Sequence, residues 1–331
     1  MNQIQWVKTE NYKLPVAVSL FAFGLLTIVQ LKFSSPPLLL LERFVKGGGW
    51  FEITIVSLYG ALVAFKMQQR IYTPKWRRII WTLFSIVFFA QMIIGLSGAD
   101  EFLMTGELHL PIPVMILSGP LYRGHLSVMT ILFLSTVILT GPAWCSQLCY
   151  FGAFDNLASD RKQWKKALNN KTAIKIPGLL LIIITTLLLR YLDVPLMTAT
   201  IVAVGFGLAG IAVMVFISLK KGQMVHCILY CPIGTLVNYL RLLNPFRMYI
   251  DKNCTMCMKC SVVCKYDALK EQDIGRRKPG FGCTYCGDCL SACRDNFIRY
   301  RFPMLKPDSA RKLYLFLTIS LHTVFLALAK I

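Results

Sequence analysis

Cys254, Cys257, Cys260 and Cys264 are spaced C-x2-C-x2-C-x3-C, and Cys283, Cys286, Cys289 and Cys293 repeat that spacing. Three cysteines two residues apart can wrap one face of an iron–sulfur cubane in a tight loop. The fourth then starts a short helix that points away, toward a second cubane. Crossed ligand sets are therefore expected. Cys254, Cys257, Cys260 and Cys293 would hold one [4Fe–4S] cluster, and Cys283, Cys286, Cys289 and Cys264 the other. A doubled C-x2-C also suits a zinc ribbon, but two identical four-cysteine motifs fit zinc poorly. Disulfides would be out of place on a cytoplasmic face. Such motifs usually carry Pro after the fourth Cys, and here Lys265 and Arg294 stand there. Positive charge beside a cluster is expected to raise its potential. Between the motifs lies a basic turn, Gly275-Arg276-Arg277-Lys278-Pro279-Gly280. It either docks an acidic partner or is simply solvated.

Four more cysteines form two C-x3-C pairs, Cys145/Cys149 and Cys227/Cys231. Each pair follows an apolar run and a glycine (Gly141, Gly222), and each precedes another glycine (Gly152, Gly234). The pattern reads as a degenerate internal repeat. On a helix, i and i+4 share one face, so each pair presents both sulfurs together. Four facing thiolates would suit a third iron–sulfur cluster or copper, the metals that soft ligands select. Reversible dithiols and inert buried cysteines are the alternatives.

The elements that must position these residues are membrane helices. Of the 331 residues, 56% are hydrophobic and only 16% charged, against about 25% charged in a typical soluble domain. The mean hydropathy is +0.57. Apolar runs at about 14–31, 50–66, 77–97, 125–142, 177–192, 196–219 and 311–330 approach the roughly 20 residues needed to span a bilayer. Glu52 and Gly60 interrupt the second, and Asp193-Val194-Pro195 joins the fifth and sixth as a helical hairpin. With the N-terminus inside, segments 1–13, 66–78, 143–176 and 220–312 hold 2, 5, 6 and 17 Lys and Arg, 30 of the 36. That bias predicts N-in and C-out, and it explains the net charge of +20 without nucleic acid. The expected fold is an α-helical polytopic membrane protein of about seven spans with an inserted cytoplasmic, bacterial-ferredoxin-like 2[4Fe–4S] domain. Residues 1–219 are the membrane domain, its second C-x3-C motif extending to 234. Residues 220–310 are the cluster domain, and 311–331 the last helix. The location is a bacterial-type cytoplasmic membrane.

Spans bearing C-x3-C motifs, the second written Cys227-x3-Cys231-Pro232, ahead of two C-x2-C-x2-C-x3-C motifs resemble the NapH/NosR/CcoG-type polyferredoxin membrane protein family. The similarity covers roughly residues 75–300. It implies electron transfer between the quinone pool, or a cytoplasmic donor, and a partner redox protein or complex. It also implies an alternative: a copper reductase, or a maturation factor for a metalloenzyme, using the C-x3-C cysteines. The family usually carries Pro after both C-x3-C motifs, whereas Cys149 is followed by Tyr150. The first two spans are an addition to the family core.

Quinol oxidation needs an apolar slot and a proton acceptor. In the outer loop, Glu107, His109 and His125 can take protons, and Tyr122 or Arg123 can hold a quinone oxygen. A bent interfacial loop with headgroup anchors is the plainer reading. An outer site would lie about 30 Å of hydrocarbon from cytoplasmic clusters. Only a mid-membrane cofactor or an inner-leaflet site near Trp144, Tyr150 and Tyr230 would close that gap. His125 and His322 raise the idea of a bis-histidine haem. A lone histidine in an apolar helix more often hydrogen-bonds a neighbouring helix. His226 is a weaker candidate beside the C-x3-C thiols. No Walker, Rossmann or nucleophile pattern is present. The chemistry therefore belongs to cofactors that the chain places and connects.

Overall fold

Apolar runs of bilayer length become helices because only internally bonded backbone is stable in hydrocarbon. The computed structural model describes residues 12–33, 37–99, 102, 112–126, 128–161, 168 and 170–328. Seven helical segments there are long and apolar enough to cross a membrane: Lys13–Lys32, Gly48–Met67, Thr73–Leu96, Thr130–Leu148, Lys171–Tyr191, Leu196–Lys221 and Pro307–Leu328. Burial sorts them. The fourth and seventh are each 61% buried and form the centre, whereas the fifth and sixth are 6% and 17% buried and stand at the edge.

The two interruptions in the second span have structural uses. Glu52 accepts the Leu41 N–H at 2.8 Å. At Gly60 a Cβ would come within 2.7 Å of Thr323 Oγ1, so the small residue lets the seventh span approach. The first, second and seventh spans pack as one unit, which places the first two against the central seventh helix. There the Tyr59 hydroxyl and His322 Nε2 share a hydrogen bond at 3.0 Å. This is the neighbouring-helix contact expected of a lone histidine.

Three expectations change. The fifth span begins at Lys171 rather than near 177, because its helix runs past the apolar stretch to meet the cysteine-rich segment, where Lys171 Nζ lies 2.6 Å from Asp267 Oδ2. The fourth span does not stop near 142. It continues through a 3-10 turn, Gly141–Ala143, and a π-turn, Trp144–Leu148. The outer segment read as a loop contains a helix, Met115–Arg123, with Pro120 inside it. It ends at left-handed Gly124, where a side chain would strike Arg190.

The fifth and sixth spans are joined through a tight turn at Asp193, with φ of 47°. Between the two helices lies an apolar groove of about 560 Å³. After the sixth span, strand β1 (Arg247–Ile250) pairs antiparallel with β2 (Ile298–Arg301). The strands bracket both ferredoxin-type motifs, with Met248, Ile250, Ile298 and Tyr300 buried beneath them.

Two of the basic segments grouped by the sequence, 66–78 and 220–312, meet. Arg70 donates to Asn296 Oδ1 at 2.6 Å, and Arg311 caps the second span through the Gln68 and Met67 carbonyls at 2.6 and 2.9 Å. Cationic side chains on the last carbonyls of a helix complement its dipole.

Candidate metal centres

The two ferredoxin-type motifs fold alike. Left-handed residues sit at Met256 and Met258 in the first and at Tyr285 and Gly287 in the second. These reversals curl each loop around its own cysteines. Short helices Lys259–Val263 and Asp288–Ala292 follow. They carry Cys264 and Cys293 to their C-termini. Further left-handed turns follow at Asp267 and Asn296. The Ala268 N–H then donates to Cys264 Sγ at 3.4 Å, and the Phe297 N–H to Cys293 Sγ at 3.3 Å.

The thiols group across the motifs. Cys260 lies within electrostatic reach of Cys293 and Cys254. Cys289 lies within reach of Cys286, Cys283 and Cys264. Burial pushes the Cys260 thiol up to about 11 and Cys283 up to about 12. Unligated, these sulfurs keep their protons, and metal binding must displace them. Soft donors in fours, fed by amide N–H groups, fit a cubane cluster. The second loop is the more enclosed. A Cβ on Gly287 would sit 3.2 Å from the Tyr300 hydroxyl oxygen and 3.4 Å from Thr73. Cys257, in the first, is the exposed member of the twelve.

The C-x3-C pairs also share one geometry. Each begins in a π-turn, Trp144–Leu148 or His226–Tyr230, and its second cysteine caps that turn. Each turn closes with an i to i−5 bond of 2.8 Å, Cys149 N–H to Trp144 O and Cys231 N–H to His226 O. Cys149 and Cys231 then adopt matching extended backbones, ψ 115° and 119°, and precede helices Tyr150–Ala158 and Pro232–Leu240. Helix-start amides of Phe151 and Gly152 point at Cys149, and those of Ile233 and Gly234 at Cys231. The expected regular helix face is replaced at both pairs by a π-turn. Cys227 lies within electrostatic reach of Cys231, Cys149 and Cys145. Burial pushes Cys149 up to about 12 and raises Cys227 and Cys231. Reactive dithiols have the opposite character, partly exposed and acidic.

The glycines noted in the repeat are explained. Gly141 and Gly222 both take φ of 65°. At Gly234 a Cβ would lie 2.7 Å from the Cys227 carbonyl, and at Gly152 2.6 Å from Trp81. We expect Gly234→Ala to push the Pro232–Leu240 helix off its π-turn at about 1–3 kcal/mol. Lowered thermal stability together with weaker retention of metal by the C-x3-C thiols would be the measured outcome. An unchanged metal content and melting profile would refute this account of the glycine.

Residues outside the cysteine motifs lock the two regions together. Tyr266 donates to the Cys145 carbonyl at 3.0 Å, and its ring lies within reach of Cys227 and Cys286. Ser146 Oγ donates to Thr284 O at 3.2 Å. Buried Arg77 grips Asp288 at 2.8 and 2.6 Å and donates to Ser146 O at 2.8 Å. From the second half of the repeat, Arg241 donates to Cys283 O at 3.0 Å and stacks on Phe281. Asp155, buried and pushed up to about 6 by that burial, accepts the Cys227 N–H at 3.0 Å. Sequence reading passed over Arg77, Asp155 and Tyr266. Arg77 and Asp155 leave one faint signal each, a cation at the start of a span and an acid amid apolar residues. Lys265 modifies the expectation of a charge that raises potential. Its ammonium pairs with Asp160 at 2.9 Å and donates to Asn156 O at 2.9 Å, whereas Arg294 is exposed.

A cavity of about 740 Å³ opens onto Cys145 and Cys227, lined also by Lys175, Tyr266, Asp267 and Phe281. Of the quinone candidates, Tyr122 and Arg123 line the apolar groove between the fifth and sixth spans. The Tyr122 hydroxyl is committed to the Val194 carbonyl. His125 is exposed, and Glu107 and His109 lie outside the described residues. At the other end the groove reaches Val225, Leu229 and Tyr230. Trp144 and Tyr150 are packed away in the core, against Phe133 and Phe88. Buried His226 lies against Tyr230, ring centres 5.3 Å apart, and burial lowers it to about 4, so it stays neutral.

A 4Fe-4S binding domain matches residues 123–167 and 203–247. These two segments contain the two C-x3-C motifs, so the internal repeat is matched twice. No curated protein and no solved structure matches the chain. The chain is thus a mostly helical iron–sulfur protein with seven candidate membrane helices and a 4Fe-4S binding domain.

Proposed function

We propose that the protein is a membrane-bound electron-transfer component carrying three metal centres. Crossed cysteine sets hold two [4Fe–4S] clusters, Cys254, Cys257, Cys260 and Cys293 for one and Cys283, Cys286, Cys289 and Cys264 for the other. Cys145, Cys149, Cys227 and Cys231 together hold a third. The observation that carries this is the mutual electrostatic reach of the four C-x3-C thiols, three of them on buried residues and Cys227 half-buried, within the segments that match a 4Fe-4S binding domain. Bound clusters supply one-electron chemistry. The chain fixes their order: the exposed Cys257 loop outermost, the enclosed Cys286 loop next, the C-x3-C thiols at the membrane edge. Arg77, Ser146, Tyr266 and Arg241 hold the last two in contact.

The quinone pool is the proposed membrane partner. The apolar groove supports this, since it ends at Tyr230, the residue before Cys231. A quinol bound there would lose two electrons singly, with its two protons leaving by the same mouth. The inner-leaflet site thereby avoids the long crossing that Tyr122 and Arg123 would impose. Orientation in a bacterial-type cytoplasmic membrane, N-terminus and cluster domain inside, follows from the charge bias. The finer resemblance to the NapH/NosR/CcoG-type family belongs to the same proposal.

The test is EPR on anaerobically purified protein with a reduced menaquinol analogue, using dithionite for full reduction. Cluster signals developing with the quinol support a quinol dehydrogenase. Signals developing only with dithionite move electron intake to the cytoplasmic side. The opening of a cavity onto Cys145 and Cys227 favours one second reading, reduction of copper at those thiols. Stoichiometric Cu(I) retention by iron-depleted protein, lost in Cys145→Ser, would support it.

A further inference from the structure

The surface around Cys257 differs from every other cysteine's surroundings. The chain exposes this one thiol of the twelve, and the 254–260 loop makes no hydrogen bond or ion pair to a span among the described residues. The loop around Cys286, by contrast, is held to the spans through Asp288 and Thr284. Three segments bring cations to the Cys257 side. Lys252, just ahead of the loop, and Lys259, within it, are exposed. Arg294 follows Cys293, whose thiol lies beside Cys260. The basic turn is pinned alongside, since Arg277 donates to Cys254 O at 3.2 Å and its own carbonyl accepts the Ile250 N–H at 3.0 Å. That bond fixes exposed Arg276 and Lys278 next to the loop. None of Lys252, Lys259, Arg276, Lys278 and Arg294 forms an ion pair among the described residues. Nearby acids are fewer: Glu271 and Asp295 are exposed, and Asp251 is engaged by Arg299. Val262, 59% exposed, adds an apolar contact close by.

We infer that this face is the docking surface for a small acidic one-electron carrier protein, which exchanges electrons with the chain at the Cys257 side. The inference rests on the iron–sulfur reading above. Unpaired cations around an exposed redox ligand steer an acidic protein electrostatically and orient it on contact. An anionic lipid surface would also attract these cations. The loop's lack of bonds to the spans favours the protein partner.

Stopped-flow reduction of the full chain in detergent tests it, with a reduced acidic bacterial ferredoxin as probe. The natural protein should react fast at low salt and slow steeply as salt rises. Lys252→Glu with Lys259→Glu, Arg276→Glu and Lys278→Glu should cut the low-salt rate at least about tenfold. The salt dependence should flatten or reverse. Reduction by methyl viologen radical, a small cation, should be undiminished in the same variant. The milder pair Lys252→Gln and Lys278→Gln should fall between, which guards against misfolding of the fourfold variant. Equal ferredoxin rates in natural and variant proteins, both with full cluster EPR signals, would overturn the inference. So would a rate loss confined to nanodiscs of anionic lipid. Absence of cluster signals in the natural protein would instead sink the iron–sulfur reading beneath it.

Discussion

Anaerobically purified protein carrying Cys227→Ser and Cys231→Ser should contain about four iron atoms fewer per chain than the natural protein, with the two ferredoxin-type signals retained. The structure separates the two outcomes cleanly. Cys227 lies in the π-turn His226–Tyr230 and Cys231 caps it, and the proposed crossed ferredoxin-type sets include neither. Serine keeps the volume but is a poor soft-metal ligand, so one half of the four-thiol group loses its donors. The partners Cys145 and Cys149 remain buried and cannot complete a tetrathiolate alone. Single substitutions should already abolish most of the third centre. Iron and labile sulfide analysis with EPR integration measures this. An unchanged iron count would show that the C-x3-C thiols hold no iron, and copper binding would then be the reading to pursue.

Arg77→Met should be the most damaging single change away from the cysteines. Its guanidinium is 1% exposed and meets the Asp288 carboxylate at 2.6 Å, with that side chain 13% exposed. Removing one partner of a buried pair leaves the other charge stranded, a cost of about 3–5 kcal/mol. The same change frees the Ser146 carbonyl and takes a cation from beside Cys286. Two readouts should move together. Thermal stability in detergent should fall, and the cluster held near Cys286 should titrate at a lower potential. Arg77→Lys should recover part of the charge effect but not the two-pronged grip. Combining Arg77→Met with Asp288→Asn should restore much of the stability, because no unpaired charge then remains. Additive losses in that double variant would contradict the proposed coupling.

Much of this was legible in the sequence because it is local. Span lengths follow from apolar runs, and the Cys254 and Cys283 motifs announce themselves by spacing. Gly141, Gly152, Gly222 and Gly234 marked the repeat before their geometry was known. The less legible parts depend on residues far apart in the chain. Arg77 and Asp288 are separated by 211 positions, and nothing local about either predicts the other. Tyr266 reads as an ordinary residue after a cysteine, and its hydrogen bond to Cys145 O exists only once the domain docks. Met115–Arg123 was hidden because Gly119 and Pro120 mimic a loop; the helix tolerates Pro120 because the Ile116 carbonyl, which a proline four residues on leaves without its N–H, accepts from Thr130 Oγ1 at 3.3 Å. The fifth span's start was misjudged because hydropathy sees Lys171 and Lys175 as an end, whereas the helix crosses that border to reach Asp267.

The paired π-turns have a further consequence for biogenesis. Neither half of the repeat owns a complete set of donors, so metal at the C-x3-C thiols would act as a staple between the fourth and sixth spans. Such a link closes a long stretch of chain, and its binding free energy becomes folding free energy. The sixth span is only 17% buried, so few side-chain contacts would hold it in place otherwise. Iron-starved cells should therefore accumulate a chain whose sixth span is loosely seated and open to membrane proteases, even before any loss of electron transfer is felt.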